Sequence, residues 1–426
     1  MSLVVNIFLL SVFAIIYVWV FYNVPILAVG VRNLRSTKKK DVPSVIDSQL
    51  PFYSILVAAK NEAKTIGRLL ESLTHMCYPA DKMEIIIVED GSTDATLEIC
   101  QQYAQKYSNI QVLQKTESNG KPSALNFALK QSQGELIAVF DADNVPAKDA
   151  LTNAIKYFQN PTVAAVQGRT QSINSKENML TQFISYEEAV WCEAYLRGKD
   201  ALGLFVHLKG SCQFIRGKIL RKLGGFQETI LSEDMELSAR LAEKNYKIKY
   251  AGDVCTWQES PSNLQGLFKQ RTRWFRGTMS VAVKYGKLLT KLNKVNLDAE
   301  MTLFGPFILI ASLISYLMAF GSFLTEYPYN VIWTAFTYFS LFAMTATVLL
   351  CGFALIFVSK PHKASNLLWL PFVFGYWFIQ GFIALYAGIL NLLRRPTNWI
   401  RTEKSGNISD PTFIVEEPLC TKKQTC

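Results

Sequence analysis

A chain of 426 residues, half of them hydrophobic and 18% charged, has room for a soluble domain of about 250 residues plus membrane segments. Its net charge of +10 does not point to nucleic acid, because the basic residues cluster beside apolar runs: Arg32, Arg35, Lys38, Lys39 and Lys40, then Lys284, Lys287, Lys291 and Lys294. Eight scattered cysteines with no C-x-x-C pair, and only three histidines, argue against a zinc site or disulfide framework and favour reduced thiols.

Residues 3 to 31 carry no charge and can cross about 30 Å of hydrocarbon, so 1–31 is read as an N-terminal transmembrane helix. The run is too long for a signal peptide, and no basic residue precedes it. The basic and polar linker at 32–50 then places the following residues in the cytoplasm.

From 51 to 260, apolar strand-like runs alternate with helical patterns. Tyr53–Ala59 is followed by Ile66, Leu69, Leu70 and Leu73 at helical spacing; Met83–Val88 precedes a helix over 95–107. Ile110–Leu113 leads through Gly120 to a helix at 122–132, and Leu136–Phe140 ends at Asp141-Ala142-Asp143. A further strand is expected at 162–168, a helix rich in aromatics over 177–202, and another over Met235–Lys244. Such alternation predicts an α/β fold with a mostly parallel, doubly wound sheet and helices on both faces. In such sheets ligands bind beyond the carboxyl ends of the strands, where Asn61, Asp90 and Asp141 fall.

Residues 261–300 are expected to form interfacial helices, and 301–394 to supply three transmembrane helices, near 302–325, 330–358 and 367–393. With the first run this makes a multi-pass membrane protein. An even number of spans puts the C-terminus outside, against the preference of Arg394, Arg395, Arg401 and Lys404 for the inside. The remainder, 395–426, is a polar tail, expected to be mobile from 407 onward.

Asp141 and Asp143 at a strand tip can share one ion, and hard oxygen ligands suit Mg²⁺ or Mn²⁺, which in turn suit a diphosphate. Asp90 stands where a carboxylate can accept a hydrogen bond from a nucleobase imide, although Ser92 or Thr93 makes an ordinary helix cap there. Lys121 lies at a helix mouth suited to anions. Asp234, in Ser232-Glu233-Asp234, is either a helix cap or a general base.

In this order the motifs resemble those of the membrane-embedded family 2 glycosyltransferases of the GT-A fold, which include cellulose, chitin, hyaluronan and poly-N-acetylglucosamine synthases. The resemblance implies a nucleobase contact for Asp90 and a donor contact for Lys121, with Ala59, Asn61 and Glu62 also on the donor side. It implies that Asp141-Ala142-Asp143 holds the metal and that Glu233-Asp234 is catalytic, with Asp234 the base. Gly210-Ser211-Cys212 looks like the acceptor-side glycine segment. Gln270-Arg271-Thr272-Arg273-Trp274 is similar to the Q-x-x-R-W motif of processive members: Arg273 for the diphosphate, Trp274 for the acceptor sugar and Gln270 holding the pair.

The implied activity is inverting, metal-dependent transfer from a UDP-sugar to a glycan or glycolipid acceptor at the cytoplasmic face of the bilayer, with no covalent intermediate. Four apolar runs are fewer than in synthases that build a secretion channel within one chain. Polymer export would then call for an oligomer or an export partner.

Overall fold

The computed structural model describes residues 3–36, 50–115, 117–286, 293–324, 368–396 and 404–409, with scattered positions between 334 and 358. It divides into two units: 1–37, 189–204 and 268–398 in one, and 38–188, 205–267 and 399–426 in the other.

The second unit is built on eight strands: β1 (Tyr53–Ala59), β2 (Met83–Glu89), β3 (Ile110–Gln114), β4 (Leu136–Val139), β5 (Val145–Pro146), β6 (Val163–Ser172), β7 (Gln213–Arg216) and β8 (Lys247–Gln258). They form one sheet in the order β3-β2-β1-β4-β7-β6-β8-β5. The β3-β2-β1-β4 half is wholly parallel, β7 is antiparallel to both neighbours, and β6 and β8 again run parallel. The expected α/β fold with a mostly parallel sheet is therefore what the chain adopts.

Strand direction follows from the connections. The helices Ile66–Thr74, Thr96–Lys106 and Lys121–Gln131 return the chain across the sheet and leave the next strand parallel to the last. Both faces are covered, which explains unbroken apolar runs instead of alternation. Ile55, Val57, Ile85 and Ile87 share one core with Ile66, Leu69, Leu70 and Leu73, while Leu56, Ile86 and Val88, on alternate positions, are just as buried. Truncating one of these leucines to alanine costs about 2–5 kcal/mol.

The other unit is helical, with Leu3–Ser36, Arg197–Leu202, Lys294–Leu303, Gly305–Leu324 and Leu370–Leu392 as its main described segments. Its first helix approaches the segment around Ala194 so closely that a Cβ on Gly30 would stand 1.8 Å from the Ala194 carbonyl oxygen. Only glycine fits there. Buried Lys199 pairs with Asp298 at 3.1 Å and tethers the helix Lys294–Leu303.

Among the described residues two helical stretches, Phe13–Leu34 and Pro371–Leu392, are long and apolar enough to cross a membrane. A third counts if Lys294–Leu303 and Gly305–Met318, bent by 51° at their junction, form one span. The expected span near 330–358 lies largely outside the described residues, as do most of the linker and residues 410–426 of the tail. Cys100, Cys192, Cys212 and Cys255 are free thiols, whereas Cys77 is in a disulfide, a departure from the expectation of reduced thiols throughout.

Candidate active site

The carboxyl ends of β1, β2 and β4 carry Ala59, Asp90 and Asp141 to one edge of the sheet. At the end of β1 the backbone turns sharply: Asn61 takes φ of 56°, its N–H donates to Ser92 Oγ (2.9 Å), and its Oδ1 accepts from the Thr93 N–H (2.7 Å). The Glu62 N–H donates to Thr96 Oγ1 (2.7 Å), and its carboxylate accepts from Thr65. Both residues thus bind the β1 turn to the β2 turn. The Ala59 carbonyl accepts the Asp90 N–H at 2.9 Å. Asp90 itself is buried; one carboxylate oxygen accepts from Ser118 Oγ (2.7 Å), and Lys115 stands 3.6 Å from the other.

The densest contacts centre on Lys121, at the start of its helix after Gly120 (φ 83°). Its ammonium lies 2.6 Å from Asp141 Oδ1 and 3.3 Å from Glu233 Oε1, and donates to the Gly210 carbonyl at 2.8 Å. One cation therefore joins the tip of β4, the start of the helix Glu233–Glu243 and the loop before β7. Burial alone would lower the Lys121 pKa, but Asp141 and Glu233 raise it, so the side chain stays charged. Desolvation, with Asp143 and Glu233 nearby, raises Asp141 despite Lys121.

Gly210, with φ of 80°, passes against both reacting sides of this cluster: a Cβ there would stand 3.2 Å from Asp234 Oδ2 and 3.2 Å from Lys121 Nζ. Gly210→Ala should combine left-handed strain of about 1 kcal/mol with displacement of Asp234. We expect its transfer rate to drop at least tenfold with little change in melting temperature, measured by nucleotide release and thermal unfolding.

Asp234 is partly exposed. Its Oδ1 accepts its neighbour Met235's N–H at 2.7 Å, leaving Oδ2 facing Gly210. Desolvation and the adjacent Glu233 push its pKa up to about 7, against the pull of Lys121. A carboxyl tuned near neutrality is suited to taking a proton.

Asp143 is buried 8% exposed, its Oδ2 accepting the Glu259 N–H at 3.3 Å and lying 2.6 Å from Lys404 Nζ. Burial would raise this carboxyl, but Lys404 holds it below the usual carboxylate value. The intervening turn is fixed from the β7 side: Ser211 Oγ accepts the Asp141 N–H (3.0 Å) and donates to the buried Asn144. The two aspartates fit a hard divalent ion: both are carboxylate oxygen donors on one turn, Asp143 buried and Asp141 a third exposed, each facing a single ammonium group, Lys404 and Lys121 respectively. Among the described residues no third His, Cys, Asp or Glu joins them, so diphosphate oxygens and water would complete the shell.

Lys121, Asp141, Gly210, Glu233 and Asp234 are thus brought together, with Asp143 beside them. Ser211 serves the Asp141 turn, and the Cys212 side chain is packed in the core. Gln270, Arg273 and Trp274 lie on the helix Leu264–Tyr285, in the helical unit. There the Arg271 guanidinium stacks 4.5 Å over the Trp274 ring and donates to Tyr376 at 3.3 Å. Sequence reasoning missed Asn144, Glu259 and Lys404. Asn144 directly follows the aspartate pair, which was a usable signal; Lys404, in a polar tail, gave none.

A beta-monoglucosyldiacylglycerol synthase from Nostoc sp. (strain PCC 7120 / SAG 25.82 / UTEX 2576) is 36% identical over 58% of this chain, and the match spans 53% of that protein. A poly-beta-1,6-N-acetyl-D-glucosamine synthase from Staphylococcus epidermidis is 28% identical over 80% of this chain and 83% of its own length. Among solved structures, a mannosyltransferase from Pyrobaculum calidifontis in complex with GDP-Man and Mn²⁺ superposes with a TM-score of 0.58 at 20% identity, covering 90% of this chain and 100% of that one, and so shares the fold. The model of the family described as "Glycosyltransferase like family 2" matches residues 51–277, more than half of the chain. The protein belongs to that family, as a glycosyltransferase that uses nucleotide sugars.

Proposed function

We propose that the protein is an inverting, metal-dependent β-glycosyltransferase that moves a sugar from a UDP-sugar to a growing polysaccharide at the cytoplasmic face of a membrane, in a processive manner. The observation that carries this reading is the Lys121 cluster, which gathers Asp141, Glu233 and Asp234 around a single cation with Asp143 beside them. The acceptor hydroxyl gives its proton to Asp234 as it attacks the anomeric carbon, and the bond to the diphosphate breaks on the opposite side. Lys121 balances charge beside the departing diphosphate. A divalent ion held by Asp141 and Asp143 would neutralise the leaving group further. One in-line displacement inverts the anomeric centre.

Asp90 is assigned to the nucleobase, with Ser118 and Lys115 fixing its carboxylate. Asp90→Ala should weaken UDP binding about tenfold, the worth of a charge-assisted hydrogen bond, when measured by calorimetry. Unchanged affinity would remove Asp90 from the nucleotide site. Arg273 is assigned to the diphosphate, and Trp274 and Gln270 to the acceptor. The membrane reading is supported by the apolar helical stretches and by the basic residues that follow the first of them, a bias that favours the cytoplasmic side.

Polymer synthesis is favoured by the poly-N-acetylglucosamine synthase, whose likeness covers most of both chains. Transfer of one sugar to a membrane lipid is the second reading, favoured by the higher identity to the glucosyldiacylglycerol synthase over the shorter match. The deciding experiment supplies labelled UDP-sugars with Mg²⁺ or Mn²⁺ to the purified protein. Long polymer formed without lipid acceptor supports the first reading; a chloroform-soluble product carrying one sugar replaces it with the second.

A further inference from the structure

Residues 404–409 belong to the polar tail in sequence, yet they lie across the metal edge of the sheet. Lys404 places its ammonium 2.6 Å from Asp143 Oδ2 and donates to the Glu259 carbonyl, also at 2.6 Å. The next residues are held by the Glu259 carboxylate: it accepts the N–H groups of Ser405 and Gly406, the latter at 3.0 Å, and the Ser405 hydroxyl at 2.9 Å. Arg68 locks both partners, lying 3.4 Å from Glu259 Oε2 and donating to the Gly406 carbonyl at 3.1 Å. Further on, Ser409 Oγ accepts the Lys176 N–H and the Ser409 N–H donates to the Ile173 carbonyl, each at 3.0 Å.

Every one of these contacts is polar. Ile408, the only large apolar residue of the segment, is 45% exposed. A segment seated by hydrogen bonds and ion pairs, without buried apolar area, can leave once another cation balances the carboxylate it covers, because no hydrophobic contact then holds it. Glu259 touches both ends of the arrangement, because its N–H bonds Asp143 and its carboxylate bonds the segment. We infer that residues 404–409 form a strap whose Lys404 occupies the cation position on Asp143, so that seating of the strap and loading of a divalent ion exclude one another. A bound Mg²⁺ sits about 2.1 Å from its carboxylate oxygen, a place an ammonium at hydrogen-bond distance on the same oxygen already blocks, and the two positive charges repel. Lys404 thereby keeps a buried carboxylate paired until the metal replaces it, and the metal in turn frees the strap. This inference rests on the reading of Asp143 as a metal ligand.

The test uses the full chain in detergent without nucleotide. Mn²⁺ binding is followed by loss of the electron paramagnetic resonance signal of the free ion, and the strap by hydrogen exchange of its amides. Lys404→Ala should bind Mn²⁺ about tenfold more tightly, an ordinary coupling between two competing ligands. Glu259→Gln, which weakens the strap's anchor and leaves Lys404 in place, should shift affinity the same way by a smaller factor. In the unaltered protein, Mn²⁺ should speed exchange at 404–409. Unchanged Mn²⁺ affinity in Lys404→Ala, or a strap that stays protected when Mn²⁺ is bound, overturns the inference. Asp143→Asn separates the two levels. If it abolishes Mn²⁺ binding while Lys404→Ala does nothing, the strap inference alone falls; if it leaves Mn²⁺ binding intact, the metal reading falls and takes the strap with it.

Discussion

Asp234→Asn should lower the turnover number by about 10³ while leaving UDP affinity within about twofold, since asparagine keeps the shape but cannot take a proton. The pH dependence supplies the sharper signature. With its carboxyl pushed up to about 7 by desolvation and by Glu233, Asp234 gains base character as pH rises, so the rate of the unaltered enzyme should climb through about pH 7 and level off. The residual rate of the variant should lack that limb. Stability moves the opposite way. A carboxyl whose folded pKa lies above its unfolded value of about 3.9 contributes stability that is fully present below the unfolded value and is lost as pH rises through about 7. Asparagine mimics the protonated form at every pH. The variant should therefore melt higher than the unaltered protein at pH 8 and nearly together with it at pH 4. A variant that retains normal turnover, or one that loses activity while keeping the limb near pH 7, would remove Asp234 from the role of base.

What the sequence disclosed follows from how each element is buried. β1, β2 and β4 have helices on their faces and sheet partners on both edges, so Ile55-Leu56-Val57 and Ile85-Ile86-Ile87-Val88 read as continuous apolar runs bounded by polar turns. β8 defeated the same reasoning because Lys247-Ile248-Lys249-Tyr250 begins as a half-exposed strand, and its pairing with β6 shifts register near Gly168. β7 is four residues long and starts with the buried Gln213, and β5 has two residues; neither offers a period to detect. The site divides in the same way. Asp141, Asp143 and Asp234 stand at the ends of strong periodic elements, so chemistry and position could be read together. Lys404 and Glu259 meet across a sequence separation of 145, through contacts that leave no local pattern.

Lys121→Met should be the second severe substitution, because an uncharged thioether would replace the cation on which three chain segments converge. Without it, Asp141 and Glu233, at 2.6 and 3.3 Å from the ammonium, face Asp234 with no balancing charge. Removing one partner of a fully buried ion pair costs about 3–5 kcal/mol; with Asp141 a third exposed, solvent screening lowers that figure here, and the variant should still melt lower at neutral pH. Part of that loss should return as pH falls, since protonation relieves carboxylates left facing one another. The same repulsion raises the Asp234 pKa further, which moves the rising limb of the rate profile above pH 7, and the maximal rate should fall by about 10²–10³ from lost charge balance at the diphosphate. Lys121→Arg separates structure from chemistry. It restores the positive charge, but a planar fork cannot donate to the Gly210 carbonyl and reach both carboxylates as the single ammonium does. Stability should recover more fully than turnover. Complete recovery of both would reduce Lys121 to a source of charge, and a methionine variant with an unshifted pH profile would show that it does not govern Asp234 at all.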